Sequence, residues 1–317
     1  VNDLVVTPVA GMSLSEPLYR ALEFSKRKSK TGKAPAGEQR TSAMAEATLQ
    51  SSYENAGETH AVFRNGISTE LRLGADGMLS PGEWTRFAAK AGIRDDLSGD
   101  LEILSQTAIV GYNKSRGKKL PASFLVTAGN GFKLETDSAN PSGNFAAVQI
   151  LGTHLEIQAW IKGTKITVGL DLSGDFAQAT SLALGEGEIG LNSPEMANAD
   201  TVVRKTGTYY ALGATVAPKV EVSRRDVNIG VKGDWETFAK ISILDRYPEQ
   251  ATEPMEIADQ RGDLEIYGEW RIPKTSAWIG LDQEWSLQAG QAETSGARQL
   301  ETVRHSSETK ATVRLDF

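Results

Sequence analysis

Hydrophobic and polar residues alternate with a period of two over many stretches of this chain. Successive side chains of a β-strand point to opposite faces, so such stretches predict strands with one apolar and one polar face. The clearest of them are residues 45–54, 67–74, 155–161, 166–172 and 264–272. Segments of about ten residues with this pattern, separated by turns, are typical of a membrane barrel. The pattern therefore predicts an all-β fold, a transmembrane antiparallel β-barrel of roughly 12 to 16 strands.

The segments between these stretches fall into two length classes. Short turns are predicted at the tripeptides Lys162-Gly163-Thr164, Ala217-Pro218-Lys219 and Pro273-Lys274-Thr275. Longer loops, rich in Pro, Gly, Ser, Asn or acidic residues, are predicted at residues 136–143, 192–206, 247–262 and 290–299. Membrane barrels have short turns at one end and long loops at the other, so this division supports the barrel. No shift in composition marks a second domain, and we expect a single barrel domain over residues 1–317.

Helical signals are weak. Residues 17–26 and 81–91 can be read with a helical period of 3.6, but both also alternate acceptably as strands. The sequence has no run of 18 apolar residues, so it predicts no transmembrane helix.

The last eight residues, KATVRLDF, alternate as far as the end of the sequence. One face of such a strand would carry Ala311, Val313, Leu315 and Phe317. This ending resembles the C-terminal signal of bacterial outer-membrane β-barrels. Lys310, Leu315 and Phe317 stand at the matching positions, and Thr312 stands where the family prefers Gly. The resemblance implies a location in the bacterial outer membrane, recognition by the barrel assembly machinery, and a last strand that closes the barrel against the first.

Composition agrees with a barrel. The mean hydropathy of -0.32 would suit a soluble protein, but only alternate strand residues of a barrel face lipid, which keeps the average polar. Cysteine is absent, so no disulfide framework is expected. The sequence starts at Val1 without a charged and then apolar leader, and we therefore expect a mature form from which a signal peptide has been removed.

Aromatic residues are only 7% of the chain, which would make the usual girdles at the two membrane interfaces sparse. The candidates are Trp84, Tyr112, Phe124, Phe132, Phe145, Trp235, Phe238, Tyr267, Trp270, Trp278 and Trp285.

Gln283 interrupts the otherwise apolar face of Ile279, Leu281, Trp285 and Leu287. A subunit contact or a position at the membrane interface would account for it.

Residues 26–40 carry six basic residues and one acidic residue in an otherwise acidic chain. One interpretation is a solvated loop. Another is that this segment contacts anionic groups, either lipopolysaccharide phosphates or acidic lipid headgroups. The basic residues concerned are Lys26, Arg27, Lys28, Lys30 and Lys33. Nucleic acid is disfavoured as a partner because the pI is about 5.2 and no aromatic residues are interleaved with the charges.

Signals for catalysis or metal binding are few. The only histidines, His60, His154 and His305, are more than 90 residues apart, which gives little basis for a metal cluster. A hydrolase site around His305 with Ser306 and Ser307 has no local feature to distinguish it. The sequence thus predicts neither an enzyme nor a cofactor.

The polar faces of the predicted strands supply the candidate functional residues. The charged residues predicted to point inward are Glu46, Glu70, Arg72, Glu156, Lys165, Asp171, Glu265, Glu269, Arg271, Asp282, Glu284, Arg314 and Asp316. Two interpretations stay open: a polar interior neutralised by its own ion pairs, or a water-filled pore whose charges set solute preference. Acids outnumber bases in this set and the net charge is -7, which favours cations.

We therefore expect a porin-like outer-membrane channel for passive diffusion of small hydrophilic solutes, weakly cation-preferring and homo-oligomeric. A structural or lipid-organising barrel with lateral self-association and little conductance is one alternative. A soluble, secreted all-β protein is another.

Overall fold

The computed structural model describes residues 39–56, 61–78, 85–94, 99–112, 122–136, 145–181, 183, 208–243, 255–294 and 299–316. Within these ranges, twelve antiparallel β-strands close into one barrel. They are β1 (Gln39–Ala56), β2 (Ala61–Met78), β3 (Thr85–Arg94), β4 (Gly99–Tyr112), β5 (Ala122–Thr136), β6 (Phe145–Ile161), β7 (Thr164–Thr180), β8 (Thr208–Arg224), β9 (Val227–Ile243), β10 (Met255–Arg271), β11 (Ala277–Thr294) and β12 (Gln299–Asp316). No helix in these ranges has the length and hydrophobicity needed to cross a membrane.

Each strand pairs with its neighbours in sequence, and β1 pairs with β12 to complete the circle. The closing register places Ala43 opposite Leu315 and Ala45 opposite Val313. Closure pairs the first and last of the described strands with each other, so neither is left as an edge strand of an open sheet. The all-β antiparallel barrel predicted from the alternation is confirmed.

Contacts between strands that are not neighbours identify the inner face of the wall. Lys133 on β5 bonds Glu236 on β9, and Tyr209 on β8 bonds Asp259 on β10. Side chains of separated strands can meet only on the concave side of a closed sheet. Side chains alternate between the two faces of a strand. On a regular strand, every second residue counted from one of these contacts therefore also lines the inside.

The outer face is apolar and exposed. Leu281, Ile229 and Trp270 are 63%, 57% and 54% exposed. Other exposed apolar side chains on this face include Ile157, Val168, Leu212, Val220, Ile266, Val313 and Leu315. A soluble fold would bury these residues and expose its charges, whereas this wall does the reverse. Such a wall suits a position between lipid outside and water inside.

The turns are only partly as predicted. Lys162 and Gly163 form a two-residue hairpin with positive φ at both positions, as a tight hairpin requires, and this turn is confirmed. A short turn over residues 272–276 is also present. The turn predicted at Ala217-Pro218-Lys219 is wrong, because β8 runs through these residues and the chain reverses at Arg225 and Asp226.

Pro218 misled the prediction because proline usually ends a strand that is paired on both sides. Here the β8–β9 register passes from Val216 opposite Trp235 to Lys219 opposite Lys232, and Pro218 falls in the interval between them. The Pro218 ring lies 3.5 Å from the place that a Cβ atom would take on Gly233. Missing ladder pairs at this point and a facing glycine accommodate the proline without ending β8, and the register is the same on both sides.

Two predicted loops are too long. Residues 255–262 belong to β10 and residues 290–294 to β11. The helical alternative for residues 81–91 fails over its described part, because β3 begins at Thr85. The other helical candidate, residues 17–26, lies outside the described residues.

Between β5 and β11, the two ends of the barrel differ in their connections. The turns at residues 162–163, 225–226 and 272–276 join strands at the end where β1 begins and β12 ends. We call this the short-turn end. The connections over residues 137–144, 181–207 and 244–254 leave the opposite, long-loop end.

Candidate pore lumen

A glycine on one strand allows an aromatic side chain to lie across the inner wall. Gly230 on β9 is opposite Glu221 on β8 and opposite Tyr267 on β10. A Cβ atom on Gly230 would lie 2.3 Å from Cζ of Tyr267, so only glycine leaves room for the ring. The Tyr267 hydroxyl then donates to Glu221 across the intervening strand, at 2.7 Å. This arrangement links three strands near the short-turn end.

Ion pairs surround Tyr267 and reach open space. Lys219 lies 3.0 Å from Glu221, and Lys232 lies 2.7 Å from Glu265. The side chains of Lys219 and Lys232 are 44% and 50% exposed although they stand on the inner face. Solvent therefore has access to the inside of the barrel in this region. We call the space lined by these residues the vestibule.

The vestibule wall continues onto β11 and β12. Arg314 pairs with Glu269 and stands over the Trp278 ring at 5.0 Å, and Asn228 donates to Glu269 at 3.3 Å. Glu284 accepts from Lys310 at 2.6 Å. Acids and bases thus alternate around the wall and neutralise one another in pairs.

His154 on β6 lies between two carboxylates. Its Nδ1 is 2.7 Å from Asp171 on β7, and its Nε2 is 3.6 Å from Glu156 on its own strand. The ring is buried, whereas the Asp171 side chain is 46% exposed. Asp171 therefore presents a carboxylate to the lumen while His154 holds its position.

Toward the long-loop end, opposite walls touch. Lys133 on β5 contacts Glu236 on β9 at 2.9 Å, and Arg261 on β10 approaches Glu135 on β5 at 3.8 Å. The Arg261 guanidinium also stands 4.8 Å from the centre of the Phe145 ring. Because three or more strands separate the partners along the wall, these contacts cross the lumen and narrow it. We call them the cross-lumen contact.

Beyond the cross-lumen contact, the inner face is apolar and closely packed. Phe145 and Phe238 lie 5.2 Å apart between ring centres, and Tyr209 donates to Asp259 at 2.5 Å. The buried residues of this apolar inner cluster are Phe145, Ala147, Ala177, Ala179, Ala183, Tyr209, Ala211, Phe238, Ile257 and Ala292. From β6 to β11, the inner face of the long-loop half is therefore covered by packed side chains.

The structure brings together part of the predicted pore-lining set. The inner face carries Glu156, Lys165, Asp171, Glu265, Glu269, Asp282, Glu284 and Arg314. Arg271 is exposed and donates from Nε to the Thr275 carbonyl at 3.0 Å, so it lies at the rim and not within the lumen.

Most of the other predicted sites lie wholly or partly outside the described residues. Glu46, Glu70 and Arg72 stand on β1 and β2, where Glu46 is opposite Glu70, but their side chains and that of Asp316 lie outside the described residues. Phe317 and the basic residues Lys26, Arg27, Lys28, Lys30 and Lys33 also lie outside them. Lys310 contacts Glu284 on the inner face, and Leu315 is exposed on the outer face.

Sequence reasoning missed the cross-lumen contact. Phe145, Phe238, Tyr267 and Trp278 were predicted to be girdle candidates, and that prediction is wrong because all four lie inside. On β6, Phe145 and His154 both face inward although one number is odd and the other even. The register with β7 shifts between Ile150 and Thr153, which reverses the parity. Gly129 and Gly131, which stand opposite the same irregularity of β6 on the β5 side, were the available signal.

A closed antiparallel wall, apolar outside and charged inside, defines the class of this protein: a transmembrane β-barrel. No protein-family model matches the chain, and no curated protein sequence matches it.

Solved structures of membrane barrels resemble the chain at low identity. A KdgM porin in complex with disordered oligogalacturonate has 12% identity and a TM-score of 0.35, with 87% of this chain and 99% of that chain covered. The Pseudomonas putida toluene transporter TodX has 8% identity and a TM-score of 0.33, with coverages of 89% and 90%. The outer membrane protease OmpT from Escherichia coli has 10% identity and a TM-score of 0.32, with coverages of 88% and 97%. These likenesses identify neither a substrate nor an activity for this chain.

Proposed function

We propose that this protein is a porin-like outer-membrane channel through which small hydrophilic solutes diffuse passively. The observation that carries the proposal is the vestibule. Charged side chains such as Lys219, Lys232 and Asp171 are substantially exposed although they point into a closed barrel. A barrel that served only as a membrane anchor would not require a hydrated, charged interior.

The charges of the inner face support a weak preference for cations. Asp175, Asp234 and Asp263 form no ion pair with a described base, whereas Lys165 is the inner base without a described acid. Asp234 and Asp263 stand directly opposite each other on β9 and β10. An excess of carboxylates over basic groups on the described inner face raises the local concentration of cations.

A structural or lipid-organising barrel is the second candidate, and the cross-lumen contact favours it. Lys133, Glu236 and Arg261 join opposite walls, and the apolar inner cluster fills the space beyond them. If the barrel is closed throughout, the vestibule is a blind cavity. The two candidates therefore differ in one measurable property, ion conductance.

Planar-bilayer recording of the purified chain tests the channel. We expect discrete current steps, and we expect Ala217→Trp on the inner face to reduce them. Ala214→Trp is the matched control because it places the same side chain on the outer face of the same strand. Current steps that are absent from the wild type, or equal in both variants, would favour the structural barrel.

The outer-membrane location and the assembly partners rest on the C-terminal resemblance. Lys310, Leu315 and Phe317 would serve as the signal read by the barrel assembly machinery, and the basic segment over residues 26–40 would contact lipopolysaccharide or acidic lipids. Replacing Phe317 with Asp is expected to leave the chain in the periplasm. Cell fractionation and heat-modifiable migration on a gel measure this, and normal outer-membrane levels of the variant would contradict the assignment.

A further inference from the structure

Polar side chains interrupt the apolar outer face at the middle of β11 and β12. Gln283 on β11 stands between Leu281 and Trp285 on that face. His305, Ser307 and Thr309 form an unbroken polar run on the outer face of β12. Val303 and Ala311 border this run. Because apolar residues flank them on both sides, these four side chains lie within the lipid-facing belt. We call them the outer polar patch.

The patch satisfies only part of its own hydrogen-bonding capacity. Gln283 Nε2 donates to Ser307 Oγ at 2.9 Å, and Thr309 Oγ1 donates to Gln283 Oε1 at 2.6 Å. The Ser307 hydroxyl hydrogen has no acceptor among the described residues, and neither ring nitrogen of His305 has a described partner. Polar groups left in this state are costly in hydrocarbon, where no water replaces the missing bonds.

The barrel wall is irregular at the same place. The register of β12 with β1 is continuous from Leu315 to Ala311, and pairing resumes at His305 in a shifted register. The residues between, which include Ser307 and Thr309, have no counterpart on β1 in that register. The patch therefore adjoins an interruption of the hydrogen-bonded ladder, where backbone groups add to the polar character of the surface.

A groove of ≈ 400 Å³ runs beside the patch on the outer face. Trp235 and Trp285 line it, Leu264 forms part of its wall, and His305 and Ser307 form its polar edge. Gly262 provides the floor, since a Cβ atom there would lie 2.4 Å from the Trp235 ring. This side of the barrel thus combines an apolar groove with hydrogen-bond donors and acceptors that lie at the same depth in the membrane.

Lipid does not fit this combination. Acyl chains carry no hydrogen-bonding groups, and the polar parts of lipids stay at the membrane surface. What covers the patch must bring polar groups to the middle of the membrane, and protein side chains do so. In membranes, Ser, Thr, Gln and His are residues that hydrogen-bond between protein elements, and small residues allow close approach of backbones. The β1 positions in register with Leu315, Val313 and Ala311 are Ala43, Ala45 and Ala47.

We propose that the face formed by β11, β12 and β1 binds a second copy of this chain about a two-fold axis. A two-fold contact places the same patch on both sides, so each chain must offer both donors and acceptors. The Ser307 hydroxyl hydrogen and an N–H of the His305 ring supply donors, and the other ring nitrogen of His305 and the Thr309 hydroxyl oxygen supply acceptors. This association does not depend on whether the lumen conducts.

Cysteine cross-linking tests the contact, since the natural chain has no cysteine. Ser307→Cys is nearly isosteric, and Val168→Cys on β7 is the control because Val168 is an exposed outer-face residue outside β11, β12 and β1. In vesicles that contain only the purified chain, we expect oxidation or a short bis-maleimide to give a species of twice the 34.1 kDa monomer mass for Ser307→Cys alone. Equal yields from both variants, or monomer only from both, would overturn the proposal.

A second variant tests the chemistry. In Gln283→Leu with Ser307→Ala and Thr309→Val, the patch keeps only His305 as a polar residue, and we expect self-association to be lost while heat-modifiable migration shows a folded barrel. Association at the wild-type level would overturn the role of the patch. In native membranes, a Ser307→Cys adduct with a mass other than twice the monomer would also overturn it, because a different membrane protein would then be the partner.

Discussion

The two halves of the lumen are built from the same twelve strands but contain different chemistry. Near the short-turn end, Lys219, Lys232 and Glu265 form ion pairs that remain open to solvent. Near the long-loop end, Phe145, Phe238 and Tyr209 pack together and exclude it. The inner face of a barrel is therefore not uniformly a pore lining. Hydration of the interior depends on which side chains meet across it.

The largest expected effect comes from placing a charge in each half. Ala211 is fully buried in the apolar inner cluster, whereas Ala217, on the inner face of the same strand, is only partly buried. Ala211→Arg buries an unpaired charge and should destabilise the barrel by about 3–5 kcal/mol. Ala217→Arg, close to Asp171 in register, should fold. Urea unfolding in lipid vesicles measures both, and equal tolerance would mean that the long-loop half is not closed.

The cross-lumen contact gives the next effect. Lys133→Met leaves the Glu236 carboxylate, whose side chain is only 8% exposed, without its main partner and should cost about 3 kcal/mol. Adding Glu236→Gln removes the stranded charge, so the double variant should recover most of that stability and show a larger single-channel conductance. Lys232→Met is the control, because an exposed pair contributes at most about 1 kcal/mol. A double variant with wild-type conductance would show that the contact does not limit the pore.

Two tyrosines allow the same comparison with the smallest chemical change. Tyr209→Phe removes a buried hydroxyl that donates to Asp259, and should cost about 1–3 kcal/mol. Tyr267→Phe should cost less, about 0.5–1.5 kcal/mol, because Glu221 keeps its contacts with Lys219 and Ser223. Unfolding midpoints measure the difference. The reverse order would indicate that the vestibule is the more tightly packed half.

Ion selectivity is the most subtle of the four tests. Asp234→Asn with Asp263→Asn should lower the cation preference by about twofold at 0.1 M salt, because carboxylate charge is lost from the inner face without breaking an ion pair with a described base. The effect should fade at 1 M salt, where the Debye length is about 3 Å. Reversal potentials across a salt gradient measure it. Lys165→Gln, which removes a base, should shift the potential in the opposite direction.

Sequence alone predicts the barrel because its strands repeat one simple rule over long, regular segments. Leu264 and Ile266 face outward and Glu265 inward because nothing interrupts β10, so parity suffices there. The cross-lumen contact could not be predicted in this way. It depends on Lys133, Phe145 and Glu236 meeting from strands far apart in the chain, and on a register shift that changes parity within β6. Alternation reports which face a residue takes, but not what it meets across the lumen.

The pairing of β1 with β12 also has a consequence for how the barrel forms. These strands come from opposite ends of the described chain, so their contact closes the longest loop in the fold and carries the largest entropic cost. Before closure, the other strands form an open sheet with two bare edges, each able to pair with a foreign strand. The final step of folding is therefore the pairing of β1 with β12, the two described strands that are farthest apart in sequence and whose register is irregular. Until that step is complete, the chain depends on its surroundings to keep both edges apart from other chains.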